Sequence, residues 1–313
     1  MALNTNTTGT VGFPNAIAKF YFKKMLDRLE AELRFQDYAD KYTLPKNSGN
    51  EAVWTRYTNF AANTTPLTEG VTPDGLTLQS TQITAIPLPF GDYVALSDFL
   101  LAEAIDPVIE SASDLLGYRQ GLSVDTIIRN TLHNNVTHQY AGTGNLTEDD
   151  IAAGDVFNAP EVRKAVFKLR KENVRPVGDS YVGIIHPAQV FDLQSDASVG
   201  AWLEINKYTT TGPLYKGEIG KMYGVRFVES SNVQVVANAT PIDVYRPYVI
   251  GKGAYGTLDL AGNNMKMITK QLGSGGTEDP LDQRATVGFK YSFVAKVLDL
   301  KRAIEVHCAT AAI

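Results

Sequence analysis

A few groupings of residues have types and spacings that suit chemistry. Gly251-Lys-Gly-Ala-Tyr-Gly256 spells G-x-G-x-x-G after a strand-like run. A dinucleotide site on that string needs a helix starting at the third glycine, so that its first amide N–H groups face a pyrophosphate. The residues that follow, TLDLAGNN, are turn-like, which favours a flexible loop. Gly273-Ser-Gly-Gly276 lacks the Gly-Lys-Ser/Thr of a phosphate loop and reads as a hinge. The four histidines, His133, His138, His186 and His307, share no ligand spacing, and His133 and His138 would point to different faces of one helix. His307 and Cys308 adjoin on a strand-like run and so point to opposite faces; no G-x-S-x-G elbow is present. Cys308 suits a buried apolar filler better than a nucleophile. Glu148, Asp149 and Asp150 could collect a cation but read better as a solvated loop. Lys164, Lys168, Lys171 and Arg175 make a basic stripe fit for nucleic acid or an acidic neighbour; without interleaved aromatics, a solvated helix face is the better reading. No catalytic or metal-binding constellation emerges, and no cofactor is implied.

The elements that must carry these residues follow from periodicity. Ile17, Phe20, Tyr21, Met25, Leu29 and Leu33 recur at spacings of three and four, an amphipathic helix after a Thr/Asn/Gly-rich start. Glu51 to Phe60 and Leu76 to Ile86 read as strands with polar residues on both faces, and Pro73-Asp74-Gly75 between them is a turn signal. Such a ribbon does not fold stably alone in water. It either lies on another surface or is an ordinary edge hairpin. Ser97 or Asp98 caps a helix ending near Asp106, and Asp106-Pro107 starts another that runs to about Asn134 unless Gly117 and Gly121 break it. Residues 140 to 157 form a turn-rich connector. Asn158-Ala-Pro-Glu161 resembles a capping box for a helix through Glu172. Strand-like Tyr181 to Pro187, a short helix over Ala188 to Gln194, and strand-like Val225 to Ser230 and Ile242 to Ile250 give this part an α/β character. Val287 to Val297 alternates as a strand, and Arg302 to Cys308 follows as another.

Composition sets the outer limits. The chain has 313 residues, 44% hydrophobic and 20% charged, enough apolar content to exclude general disorder. A net charge of −5 argues against an overall electrostatic grip on nucleic acid or anionic lipid. One cysteine allows no internal disulfide, which fits a reducing compartment or indifference to redox. The start MALNTNTTGT has neither the basic nor the apolar region of a secretion signal, and no apolar run approaches the roughly 18 residues of a membrane span. Extended, polar, projecting elements around an α/β core are the profile of an assembly subunit.

Five segments resemble, in order, the major capsid proteins of tailed double-stranded DNA phages, in the family typified by the phage N4 capsid protein. They are PLTEGVTPDG (Pro66 to Gly75), LPFGDYVALSDFLLAEAIDPVIESASDLLG (Leu88 to Gly117), YVGIIHPAQVFDL (Tyr181 to Leu193), YKGEIGKMYGVRFVESSN (Tyr215 to Asn232) and DPLDQRATVGFKYSFVAKVLDLKRAIEV (Asp279 to Val306). The resemblance implies an α+β Hong Kong 97-type capsid fold. It places an N-terminal arm at 1–50, an extended β-hairpin loop at 51–96, a peripheral domain with a long spine helix at 97–155 and 279–313, and an axial domain at 156–278. It implies a structural, non-enzymatic protein of the virion shell, assembled in the bacterial host cytoplasm. Hexamers and pentamers of the chain would then close an icosahedral head around packaged DNA. The partners implied are the chain itself, a portal protein, scaffolding or decoration proteins, and DNA held by non-specific contact, with no membrane. The inter-subunit contacts expected are Phe13, Phe20 and Tyr21 on the arm, Leu67, Glu69, Val71, Pro73 and Asp74 on the loop, and Gly251 and Tyr255 on the axial domain. No motif carries over the side-chain crosslink of the fold's namesake, and the start at Met1 is expected to lack a cleaved scaffold segment. Two other readings remain: a nanocompartment shell of the same fold, and a nucleotide-binding enzyme using Gly251 to Gly256.

Overall fold

The computed structural model describes residues 33–104, 108–196, 218–262, 266–275 and 279–311. The expected helix over 17–33, its residues Phe13, Phe20 and Tyr21, the Asp106-Pro107 helix start and the end of the glycine hinge at Gly276 lie outside the described residues, Leu33 excepted.

In chain order, the strands before the long helix are β1 (Asp40–Leu44), β2 (Ala52–Tyr57), β3 (Ser80–Ala85) and β4 (Leu88–Ser97). Helices α1 (Asp98–Glu103) and α2 (Val108–His133) follow, then β5 (Thr137–Tyr140), α3 (Ala159–Lys171), β6 (Tyr181–Ile185) and α4 (Pro187–Ser195). The remaining strands are β7 (Glu218–Met222), β8 (Val225–Glu229), β9 (Val235–Ala237), β10 (Asp243–Tyr245), β11 (Tyr248–Ile250), β12 (Tyr255–Leu260), β13 (Lys266–Lys270), β14 (Arg284–Val297) and β15 (Ala303–His307).

Six strands in the order β5-β15-β11-β6-β8-β7 form one sheet. All five residues of β6 are buried, as in a strand covered on both faces. Alternation assigns Val182 and Ile184 to one core, with Leu116, Val124, Ile128 and Leu132 of α2. Tyr181 and Ile185 go to a second core, with Val162, Val166 and Leu169 of α3. Gly183 lies between them because a Cβ there would meet the Phe227 ring at 2.6 Å. Ile304 and Val306 of β15, with Cys308 just after it, face α3, which leaves Glu305 and His307 on the α2 side.

The second sheet is organised by the 14-residue strand β14. Thr286 pairs with both Ala95 and Lys270, and Phe293 with both Leu88 and Asp259, so β4 runs along one edge and β13 and β12 along the other. Parallel β1 continues the sheet from β12. Val287, Phe289, Tyr291, Phe293, Ala295 and Val297 alternate onto the core that also holds α2. Helix α2 runs unbroken for 26 residues, about 39 Å at roughly 1.5 Å per residue. Gly117 and Gly121 do not break it, because Ala112, Leu116, Gln120, Val124, Ile128 and Leu132 form one buried stripe, and that packing outweighs a propensity cost of about 1 kcal/mol per glycine.

Local signals held where they were backbone chemistry. The Ser97 side chain accepts a hydrogen bond from the Leu100 amide at 3.2 Å and starts α1, which ends at Glu103, earlier than expected. Asn158 caps α3, but the expected capping box does not close. The Glu161 carboxylate turns instead to Gln139 Nε2 (2.9 Å) and Lys164 Nζ (2.7 Å). The single strand expected over Ile242 to Ile250 divides at Arg246-Pro247, since proline has no N–H for the ladder. The sheets draw strands from both sides of the expected domain limits: Leu88–Ser97 pairs with β14, β12 and β13 join the β14 sheet, and β15 joins the six-stranded one.

Asp125, nearly inaccessible on α2, accepts from the Phe35 amide (2.8 Å), the Gln36 amide (3.3 Å) and Asn232 Nδ2 (2.8 Å), tying the chain before β1 and the segment after β8 to the helix. Burial pushes its carboxyl above the usual range, and those three donors oppose the shift. Asp125→Ala strands these donors and is expected to destabilise the unassembled chain by about 3 kcal/mol in urea unfolding. Burial likewise pushes the Cys308 thiol far above its ordinary value, while Gln189 Nε2 donates to its sulfur at 2.9 Å. The thiol is expected to stay unreactive towards an aromatic disulfide reagent in the native chain and to titrate fully in guanidinium, which a colorimetric thiol count checks.

Candidate functional site

The surface that stands out is the projecting hairpin. Strands β2 and β3 pair antiparallel from Ala52↔Ala85 to Tyr57↔Ser80 and form a two-stranded sheet of their own, not the edge of a larger one. One face of the ribbon is anchored. Trp54, opposite Ile83, packs with Ala52 and Ala85 on Leu44, Leu258, Leu260 and Val294, and the Trp54 ring meets Tyr42 at 5.3 Å. Arg56 closes the root with an ion pair to Asp299 at 2.6 Å.

Beyond the root the chain has almost no internal support. Every residue from Thr55 to Gln82 is exposed. Tyr57, Phe60, Leu67, Val71, Leu76 and Leu78 are all more than half exposed, with Leu67 at 73% and Leu76 at 75%. The turn at the tip is not the expected Pro73-Asp74-Gly75. It centres on Glu69-Gly70, where the Val71 amide donates to the Thr68 carbonyl (3.2 Å) and Gly70 has φ +77°. Glycine is the residue that takes positive φ at the third turn position without strain. Between the hairpin root and the body lies a groove of about 1320 Å³, bordered by Arg56, Tyr57 and Gln82 on one side and by Arg175, Lys252 and Lys301 on the other.

Among the contact residues expected from sequence, Leu67, Glu69, Val71, Pro73 and Asp74 lie together on this exposed loop. Gly251 and Tyr255 do not lie on a contact surface. Tyr255 is 1% exposed and donates its hydroxyl to the Phe35 carbonyl at 2.6 Å. Gly251 is buried where a Cβ would collide with Val174. The G-x-G-x-x-G string therefore serves internal packing: it leads into strand β12, with no helix at its third glycine.

Asp149 and Asp150 are exposed, as expected of a solvated loop, and Glu148 is half-buried. Glu148 pairs with Arg246 at 2.6 and 2.9 Å, Asp149 accepts from the Ala239 amide, and Asp150 accepts from the Thr147 amide and hydroxyl. Arg246 holds the Glu148 carboxyl below its usual range against the opposing effect of burial. The histidines do not scatter. His186 caps α4 with Nδ1, but His133, His138 and His307 converge on Glu305, with one donor atom from each residue all within 4.8 Å of one another. Spacing along the chain hid this group because its members come from the end of α2, from β5 and from β15, which only the sheet order brings together. Among the described residues no helix is long and apolar enough to cross a membrane.

A family model described as a phage capsid protein matches residues 125–248. No curated protein sequence matches the chain. Solved structures agree over nearly its whole length. The capsid structure of the cyanophage P-SCSP1u superposes with a TM-score of 0.72 at 18% identity, covering 99% of this chain and 97% of that one. The capsid of Ralstonia phage GP4 gives 0.74 at 14% identity, with 98% of each chain covered. The acid-stable capsid of the Helicobacter pylori bacteriophage KHP30 gives 0.68 at 13% identity, covering 99% of this chain and 100% of that one. The fold is the Hong Kong 97-type capsid fold, α+β, as the resemblance implied.

Trp54→Ala removes the largest anchor of the hairpin root. Hydrogen exchange of the β2 and β3 amides is expected to accelerate, while β6 and β14 amides keep their protection. Mass-spectrometric exchange on the unassembled chain reads both.

Proposed function

We infer that this chain is a structural major capsid protein of a tailed phage, one whose copies build the hexamers and pentamers of an icosahedral head around double-stranded DNA. The observation that carries the reading is the end-to-end agreement with capsid chains, joined to a hairpin whose apolar residues have no partner within the subunit. A nanocompartment shell of the same fold is not favoured, since the neighbours and the matching family model are phage capsids.

In this reading α2 is the spine helix. Strands β1, β4 and β12–β14 accompany it in the peripheral domain, and the six-stranded sheet with α3 and α4 is the axial domain. The loop between β2 and β3 reaches over an adjacent subunit, where Leu67, Glu69, Val71, Pro73 and Asp74 make contact. Phe13, Phe20 and Tyr21 do the same from the arm. Heterologous contacts of this kind, one patch against a different one, close rings and shells. Each large apolar side chain buried there contributes about 1.5–3 kcal/mol, so a single hairpin supplies a substantial share of a subunit's attachment. The role is structural rather than catalytic. A portal, scaffolding or decoration proteins and the packaged genome complete the set of partners, with assembly in the bacterial cytoplasm. A net charge of −5 suits a wall that encloses DNA without gripping it.

Deleting Leu67 to Leu78 is expected to leave a soluble, folded subunit that forms no closed shells in negative-stain microscopy and sediments as small species. Normal shells from that deletion would remove the loop from the assembly. The double change Leu67→Asp with Val71→Asp is expected to act the same way without moving the melting temperature of the subunit, because both side chains are largely exposed.

A further inference from the structure

We propose that His133, His138, Glu305 and His307 form a structural binding site for a divalent cation, best suited to Zn²⁺, which fastens the end of α2 to the six-stranded sheet. Each residue arrives by a separate constraint. His133 is the last residue of α2 and His138 lies on β5, while Glu305 and His307 share the α2-facing side of β15. Glu305 Oε2 stands 2.9 Å from His133 Nδ1, 3.4 Å from His138 Nε2 and 3.3 Å from His307 Nε2. Zinc bonds of about 2.0–2.1 Å in a tetrahedron put neighbouring donor atoms roughly 3.3–3.4 Å apart. Two of the three distances from Glu305 match that spacing, the third is shorter, and all four donor atoms lie within 4.8 Å of one another, with oxygen and imidazole donors that zinc accepts.

His307 supplies an independent observation. Its side chain is 2% exposed, and its ring nitrogens face Glu148 Oε1 at 3.5 Å and Glu305 Oε2 at 3.3 Å without reaching hydrogen-bond geometry. Each of the other two rings has a hydrogen-bond partner without a metal: His133 Nδ1 donates to Glu305, and His138 Nε2 donates to the His133 carbonyl at 2.9 Å. A buried imidazole whose hydrogen bonds are not made in good geometry carries a desolvation cost that coordination of a cation at the centre reduces. His138 then exchanges its carbonyl for the ion. The surroundings match an outer shell. Tyr248 donates its hydroxyl to Glu305 Oε1 at 2.7 Å, and Glu148 Oε1 stands 3.5 Å from His307 Nδ1. Arg246 pairs with Glu148 and stands 3.4 Å from His133 Nε2. Four protein donors leave no open position, so the site is structural and not catalytic. The side chains of His133 and His138, 26% and 30% exposed, give the ion its way in.

The full chain, stripped with a chelator and dialysed, is titrated with Zn²⁺ and separately with Co²⁺. The expected result is one equivalent per chain, the visible d–d bands of tetrahedral Co²⁺, and a melting temperature that rises with Zn²⁺. In His138→Gln and in His133→Gln, both partly exposed positions, affinity falls by about 100-fold or more, beyond the 10- to 100-fold typical of losing an outer-shell partner, and the thermal rise disappears while circular dichroism stays native. Failure of the folded wild-type chain to take up either metal overturns the proposal. So does stoichiometric uptake that both variants retain, which would place the metal elsewhere.

Discussion

The burial of α2 between two sheets is the constraint on which the rest of the structure depends. Among the described residues, α2 shares one apolar core with one face of the six-stranded sheet, the inward face of β14 and Phe35. Its stripe from Ala112 to Leu132 meets Val182, Ile184 and Tyr248 from one sheet and Val287 to Val297 from the other. Close packing of this kind resists local adjustment, so the position of each sheet is set by the same set of side chains. The second core, between α3 and the opposite sheet face, stiffens the six-stranded sheet from behind.

A body fixed in this way leaves the hairpin free to be specialised. Its root is held by Trp54, Ala85 and the Arg56–Asp299 pair, while from Thr55 to Gln82 nothing is buried. In the proposed reading the division suits a subunit that meets copies of itself: the root sets the direction in which the loop leaves the body, and the exposed apolar side chains would gain burial from a neighbouring chain. Holding those residues outside the core costs the isolated subunit nothing in packing, because the two internal cores close without them.

The polar groups inside the molecule are joinery rather than chemistry. Asp125 ties the segment before β1 to α2, and Glu161 binds α3 to β5 through Gln139. Arg246 and Glu148 span the break between β10 and β11 and the connector after β5. Each joins segments distant in sequence, where backbone ladders do not reach. The histidine and glutamate cluster belongs to this class by position, at the meeting of the α2 terminus with the sheet.

Residues such as Ser97, Asn158 and the alternating run from Val287 to Val297 reveal their roles in the sequence itself, because caps and strand periodicity are local properties of a few consecutive residues. The ordered segments from Pro66 to Val306 carried the fold for a related reason: a family pattern is written along the chain. The destination of Glu161 and the burial of Tyr255 and Gly251 were not legible. Each depends on which segment lies opposite. Strand order decides that, and a two-residue period cannot encode it. The sequence alone determined most element types, the α+β capsid fold by resemblance, and a polar two-stranded ribbon, while its separation from the larger sheets came from the strand pairing. Only the tertiary structure decided that three histidines 5 and 169 residues apart along the chain surround one carboxylate, because parallel pairing of β5 with β15 and the length of α2 bring them to the same place.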